Sequence, residues 1–327
     1  MLPVRWLSFR LGAVAEPGGR HIHARAIARL GGLAMYAGFG LSAAVYSTNR
    51  GTLGLLLSAA VITTLMVVDD VHGMAPLLKL GSQLAASLLA IVAFGYEITY
   101  FSLPGRVVTF PAWLAVLVSL IWFVSLQNTV NLIDGVDGLA AGVVAIVAGA
   151  ILLAAINLLR PDIVILAGAL IGACLGFLLF NWYPARIFMG DAGSHFLGFT
   201  LAAISVLSIA KGAVVISLAV PLLGLALPIA DTAWAIVRRR IRGRSIASAD
   251  AEHIHHRLLD FGLSPPETVL LFYFGTAICA ALGLAVYGHK RVLLGAILLL
   301  LVGMTFILVR VSRRNGRPPS DAKLNGG

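Results

Sequence analysis

Long apolar runs recur along this chain, separated by short polar turns that hold most of its acids and amides. Ten runs are long enough to be read as spans: about 30–48, 52–68, 80–96, 111–127, 138–157, 163–180, 194–210, 212–236, 267–287 and 291–310. Crossing the hydrocarbon core of a bilayer takes roughly 20 apolar residues in a helix. The pattern therefore predicts an all-α, polytopic membrane helix bundle with about ten transmembrane helices. One integral membrane domain fills residues 1–327. Within it, 237–266 forms a polar cytoplasmic loop and 311–327 a basic, flexible cytoplasmic tail.

Composition agrees with the pattern. The chain is 59% hydrophobic and 12% charged, with mean hydropathy +0.96, whereas soluble domains carry about 25% charged residues. Residues 1–29 contain five arginines and no apolar stretch ending in a cleavage site, so no cleaved signal is expected. Cys174 and Cys279 both fall in apolar runs and read as small core residues.

Charge sets the orientation. With the N-terminus inside and ten alternating spans, the inside segments hold 18 of the 24 Lys and Arg, as the positive-inside rule requires. Arg238, Arg239, Arg240, Arg242 and Arg244 anchor that asymmetry. The formal charge of +10 thus reflects topology, and no nucleic-acid motif accompanies it. The acids, not used in the assignment, also cluster at inside ends, with only Glu97 and Asp162 outside.

Four polar groups lie on that face. Asp69 and Asp70 end an apolar helix. In Asn128-Thr-Val-Asn131-Leu-Ile-Asp134-Gly-Val-Asp137-Gly, oxygen-bearing side chains recur every three residues, a spacing that makes neighbours on a helix. Asn181-Trp-Tyr-Pro-Ala-Arg-Ile-Phe188-Met-Gly-Asp191 places an acid beside glycine at the start of a span, a setting for a hard cation such as Mg²⁺. Phe188 has the reach to stack on a base. Glu252-His253-Ile-His255-His256-Arg257 sits in the basic loop, where neutral His binds metal and His⁺ binds phosphate. Carboxylates gathered on one face repel, by about 4 kcal/mol per pair at 4 Å and an effective dielectric of 20. A divalent cation relieves that repulsion and suits diphosphate chemistry.

In this order the groups resemble glycosyl transferase family 4, the polyprenyl-phosphate N-acetylhexosamine-1-phosphate transferases and phospho-MurNAc-pentapeptide translocases. Arg20-His-Ile-His23 and Arg29-Leu-Gly-Gly look like the family's first cytoplasmic motif, and HxHH favours the hexosamine branch. The family commonly has eleven spans. The first is missing here, which implies a truncated or misassigned start. Ala26, Ala28 and Ala15 stand where the motif has two prolines and an acid.

The resemblance implies a concrete reaction in the bacterial inner membrane, with the active site facing the cytoplasm. Undecaprenyl phosphate attacks a UDP-N-acetylhexosamine, GlcNAc by preference, to give undecaprenyl-diphosphate-sugar and UMP. That step begins a surface polysaccharide such as O-antigen lipopolysaccharide, teichoic acid or a cell-wall glycan. Mg²⁺, or Mn²⁺ in its place, is the implied cofactor. Asp191 and Asn131 are the implied metal ligands. Asn181, Phe188 and Asp137 look like the nucleobase pocket; Asn128 and Asp134 position the ribose-diphosphate or the metal shell. His253, His255, His256 and Arg257 hold diphosphate and sugar, with His23 also placed at the substrate. Asp69 and Asp70 face the lipid phosphate. No nucleic acid is a partner, and a homodimer is left open.

Two other classes compete. A transporter would place its polar site near the bilayer midplane, not at span ends on one side. A CDP-alcohol phosphatidyltransferase needs an arginine that Asp137-Gly-Leu-Ala-Ala-Gly lacks. Within the family, the pentapeptide translocase is the alternative. The orientation has a direct check. With Cys174 and Cys279 replaced, single cysteines at positions 20 and 248 should resist an impermeant maleimide in intact cells. Labelling of either from outside would reverse the topology.

Overall fold

A computed structural model describes residues 1–15, 26–46, 49–103, 106–209, 225–226, 258, 262–285 and 290–315. Ten α-helices lie in these residues. They are α1 (Leu2–Leu11), α2 (Gly31–Tyr46), α3 (Arg50–His72), α4 (Pro76–Leu88, continued by a π turn Leu89–Ala93), α5 (Ala112–Ile133), α6 (Leu139–Asn157), α7 (Pro161–Asn181), α8 (Gly190–Ile209), α9 (Pro265–Ala285) and α10 (Lys290–Asn315). Two small antiparallel pairs join them: β1 (Val14–Ala15) with β2 (Ile27–Ala28), and β3 (Tyr100–Leu103) with β4 (Arg106–Thr109). The molecule is a membrane helix bundle. Nine of the ten expected spans coincide with helices α2 to α10, while the segment 212–236 lies, apart from residues 225–226, outside the described residues. Among the described residues six helices are long and apolar enough to cross a membrane: α3, α4 with its π turn, α5, α6, α7 and α9.

Several boundaries differ from the sequence reading. α4 begins at Pro76, not at 80, because proline is favoured in the first helical turn. α8 begins at Gly190, not at 194. These shifts bring Lys79 and Asp191 from loops into first helical turns. The N-terminal segment, read as an inside segment without a span, contains α1, started by Pro3 and closed by left-handed Gly12. Ser8 of α1 is fully buried and accepts the Leu30 N–H at 3.2 Å, which fastens α1 beneath α2. Cys174 is buried, Cys279 half-buried, and both are free thiols.

α8 is the axis of the bundle, packed against α2, α3 and α5. From Ala192 to Ser205 its side chains are buried. Without a hydrophobic drive between helices in lipid, close approach depends on small residues and interhelical hydrogen bonds. Gly198 supplies the approach to α5: a methyl group there would lie 2.5 Å from Leu126 O and 2.6 Å from the Gln127 Cα. Trp122 Nε1 donates to Ser205 Oγ at 2.9 Å further along the same contact.

This packing gives a paired test. Gly198→Val should force α5 and α8 apart and destabilise by about 1–3 kcal/mol or more, as overpacking does. Gly172→Val on α7, where nothing lies within 4 Å, should leave the thermal unfolding midpoint in detergent nearly unchanged. Equal midpoints for the two variants would refute the close α5–α8 contact.

Candidate active site

The site is built on the N-terminus of α8. The chain arrives there in extended form, running parallel to the segment that leads into α2. Phe188 N donates to Ala28 O at 2.8 Å, Gly31 N to Phe188 O at 2.9 Å, and Gly32 N to Met189 O at 2.9 Å. Gly190 then turns the chain with φ +70°. A side chain there would collide with Arg29 O and the Asp70 carboxylate, so both φ and space require glycine.

Asp70 fills the position that this turn creates. Its side chain is fully buried, and its oxygens accept from Asp191 N at 2.9 Å and Ala192 N at 3.0 Å. Those are orphan donors of a helix start, at the positive end of its dipole. Arg29 lies 3.6 Å from the same carboxylate. Asp69 points elsewhere. It accepts from Met74 N at 2.6 Å and pairs with Lys79 Nζ at 2.7 Å. The two acids therefore face different partners. Neighbouring helix residues project about 100° apart, and Asp70 is turned inward as the cap of α8.

Asp191 projects into the space that α5 and α4 enclose. Lys79 Nζ lies 2.5 Å from its Oδ2, so one ammonium bridges Asp69 and Asp191. Asn131 Nδ2 donates to Asp191 Oδ1 at 3.2 Å and to Ser194 Oγ at 2.9 Å. Beyond them opens a cleft of about 670 Å³, whose lining includes Arg29, Asn131, Asp134, Asp137, Asn181, Phe188 and Asp191. Val14 and Ala15, just after α1, complete its wall. Asp134 caps the end of α5. Burial pushes its carboxyl well above the ordinary carboxylate range; the nearby Asp191, Asp70 and Asp137 add to this and Arg29 opposes it. Asp137 accepts from Ala185 N at 2.9 Å and so ties the turn after α5 to the 182–189 loop.

Five residues singled out by motif thus line one cleft: Asn131, Asp134, Asp137, Phe188 and Asp191. Two others have different duties from those expected. Asn181 also lines the cleft, yet it is 3% exposed and both polar ends are committed to backbone. Its Oδ1 accepts from Gly138 N and its Nδ2 donates to Ile187 O, each at 2.9 Å. It pins the two loops together instead of presenting its amide to a base. Asn128 is directed away from the cleft, to Gln83 and Val124 O, and does not reach a ribose-diphosphate there. His23, His253, His255, His256 and Arg257 lie outside the described residues.

Sequence reasoning gave no role to Lys79, Gln83 or His195, and left Arg29 as part of a motif. The signal for two of them was present. Lys79 and Gln83 are one helical turn apart at the start of an apolar helix, followed by Ser87. Polar residues at i, i+4 and i+8 on such a helix face its interior partners.

The chain has relatives among known proteins. A family model described as glycosyl transferase family 4 matches residues 52–209. A probable undecaprenyl-phosphate N-acetylglucosaminyl 1-phosphate transferase of Bacillus subtilis is 36% identical over 274 residues, covering 83% of this chain and 76% of the relative. A decaprenyl-phosphate N-acetylglucosaminephosphotransferase of Mycobacterium tuberculosis is 36% identical over 346 residues, covering 94% of this chain and 85% of the relative. A phospho-N-acetylmuramoyl-pentapeptide-transferase of Moorella thermoacetica is 35% identical over 214 residues, covering 62% and 63%.

The divided roles of the two adjacent acids can be separated experimentally. Asp70→Asn keeps one acceptor oxygen where two N–H groups need a partner, and should destabilise by about 1–3 kcal/mol. Asp69→Asn should change the unfolding midpoint far less while lowering turnover. A larger loss of thermal stability in Asp69→Asn than in Asp70→Asn would contradict this division.

Proposed function

The chain belongs to glycosyl transferase family 4, and from that membership and the cleft beside Asp191 we propose that it transfers N-acetylglucosamine 1-phosphate from UDP-N-acetylglucosamine to a polyprenyl phosphate such as undecaprenyl phosphate. The acceptor's phosphate oxygen attacks the β-phosphorus of the donor. The bond from that phosphorus to the bridging oxygen breaks, and UMP leaves with the electron pair. The carrying observation is the cluster of Asp191, Asn131, Lys79 and Asp69 at one helix start, opening into a cleft lined by Phe188 and Asp137. The B. subtilis and M. tuberculosis relatives, by their names, act with N-acetylglucosamine and polyprenyl phosphates. The pentapeptide transferase relative covers less of the chain, which makes that substrate the second reading.

The chemistry asks little of a base. The second pKa of a phosphate monoester is about 6, so near neutrality most of the acceptor is already a dianion. Asp69 then has an orienting task. Held by Met74 N and Lys79, it fixes the ammonium that neutralises incoming phosphoryl oxygen. A covalent aspartyl-phosphate route would need Asp69 free to attack, whereas both its oxygens are engaged. Phe188, half-buried on the cleft wall, offers a face to uracil, and Asp137 lies on the same wall.

A divalent cation fits the donor set. Among the described residues no group of three or more His, Cys, Asp and Glu could enclose one. Mg²⁺, however, binds through one or two carboxylates plus substrate phosphates. Asp191 supplies the carboxylate and Asn131, by its amide oxygen, the partner. When bound, the ion would offset charge on the diphosphate and align the in-line displacement. The reading places the site on the cytoplasmic side of the bacterial inner membrane, where UDP-sugars are made.

The test is UMP release from a panel of UDP-sugars with undecaprenyl phosphate and purified protein. UDP-N-acetylglucosamine should be the best donor, and EDTA should stop turnover. Asp191→Asn should lose at least about 10²-fold in rate. Phe188→Ala should weaken UMP inhibition about 5- to 150-fold, the loss of one stacked base. UMP release undiminished in Asp191→Asn would remove this residue from the mechanism.

A further inference from the structure

Beneath Lys79 and Asp191 lies a second contact between the same two helices, one turn deeper in each. Gln83 follows Lys79 by four residues in α4, and His195 follows Asp191 by four in α8. Gln83 Nε2 and His195 Nε2 are 3.0 Å apart. The residues are 3% and 1% exposed. The upper contact is charged and partly open; the lower is neutral and buried.

The hydrogen bonds of the lower contact have only one consistent direction. Val124 O is a backbone carbonyl and can only accept. The Asn128 group 2.8 Å from it is therefore the amide nitrogen. The same nitrogen donates to Gln83 Oε1 at 2.7 Å. With its oxygen turned to Asn128, Gln83 presents its NH₂ to His195. His195 Nε2 must then accept, so the ring proton sits on Nδ1. Nδ1 lies 2.9 Å from Asp191 O, another group that can only accept. A main-chain carbonyl in α5, acting through two amides, and the Asp191 carbonyl in α8 thus require the same tautomer. Reversing either amide would set donor against donor or oxygen against oxygen.

We propose that His195 is a positioning residue for the sugar-phosphate transfer. Held neutral with its proton on Nδ1 by the Asn128–Gln83 relay and the Asp191 carbonyl, it fixes the first turn of α8 and the spacing between α4 and α8. The inference rests on the role of Asp191 stated above. The upper contact must open when substrate phosphates take Lys79 or Asp191 as partner. The lower contact carries no charge and has no reason to follow. It keeps Asp191 and Lys79 in register while their mutual bond is exchanged, so that Asp191 stays within 0.5 Å or so of its productive place.

The experiment uses the full chain in nanodiscs, labelled with ¹⁵N-histidine, with His195 identified by the signal missing in His195→Asn. Wild type should show a protonated Nδ1 and an unprotonated Nε2 at this residue. Gln83→Leu removes the donor to Nε2 and should shift the Nε2 signal toward that of an unbonded imidazole nitrogen, while Asp191 O keeps the proton on Nδ1. In transfer assays, His195→Gln keeps an acceptor toward Gln83, and with it the contact between α4 and α8, and should retain kcat within about threefold, while His195→Asn keeps only the donor toward Asp191 O. Losing the hydrogen bond between the helices, about 1.4 kcal/mol, His195→Asn should drop kcat about tenfold, with KM for the UDP-sugar within about twofold. An Nε2-protonated His195 in wild type would overturn the proposal, as would full kcat in His195→Asn. Equal loss of kcat and of thermal stability in both variants would reduce the histidine to packing and also overturn it. If no UDP-sugar is turned over at all, the functional reading fails, and the response of the Nε2 signal to Gln83→Leu still decides whether the relay exists.

Discussion

Two backbone N–H groups at the start of α8 and the buried carboxylate of Asp70 form the contact from which the site is built. A helix start presents unpaired donors and a partial positive charge. In a lipid-facing bundle there is little water to satisfy them, and each unpaired group costs several kcal/mol. Asp70 meets that need from α3 and in doing so fixes where Asp191 emerges. The contact sets further conditions. Gly190 must lack a side chain, the preceding residues must run extended beside 28–32, and Arg29 must come close enough to offset the buried charge. Residues distant in the chain are thereby drawn to one point.

Much of this was legible in the sequence. Apolar length located the helices, since length is what a bilayer demands of them. The three-residue recurrence of Asn131, Asp134 and Asp137, and the glycine-flanked Asp191, marked groups that do line one cleft. What was not legible had physical causes. Asp69 and Asp70 read as a pair because they are adjacent, yet adjacency on a helix separates directions. Asn128 and Asn181 carry the same amide as a ligand-binding asparagine, and type alone does not say whether backbone consumes it. Lys79 was hidden by a boundary drawn four residues late. α1, at ten residues, is too short to produce a spanning signal.

The glycines show a related economy. Gly32 meets the backbone of Gly193 where α2 crosses α8, and Gly198 meets α5. Such crossings bring main chains close enough for side chains on three helices to share hydrogen bonds across α8. Asn131 reaches both Asp191 and Ser194 only because α5 lies this near. The packing that holds the bundle together and the geometry of the cleft are therefore one requirement.

The choice of lysine at position 79 follows from the charges around it. Asp69 and Asp191 share one ammonium at 2.7 and 2.5 Å. Without it, two carboxylates in a partly buried site would repel by several kcal/mol. Arginine could neutralise the same pair, but its planar fork would commit paired donors to one carboxylate in a fixed plane. An ammonium has three donors around a point charge. Two serve the acids, and the third can meet an arriving phosphoryl oxygen before either acid is released. At 32% exposure the Lys79 side chain is still accessible beside the two acids. Exchange of partners can then proceed one hydrogen bond at a time, without a stage at which two bare carboxylates face each other.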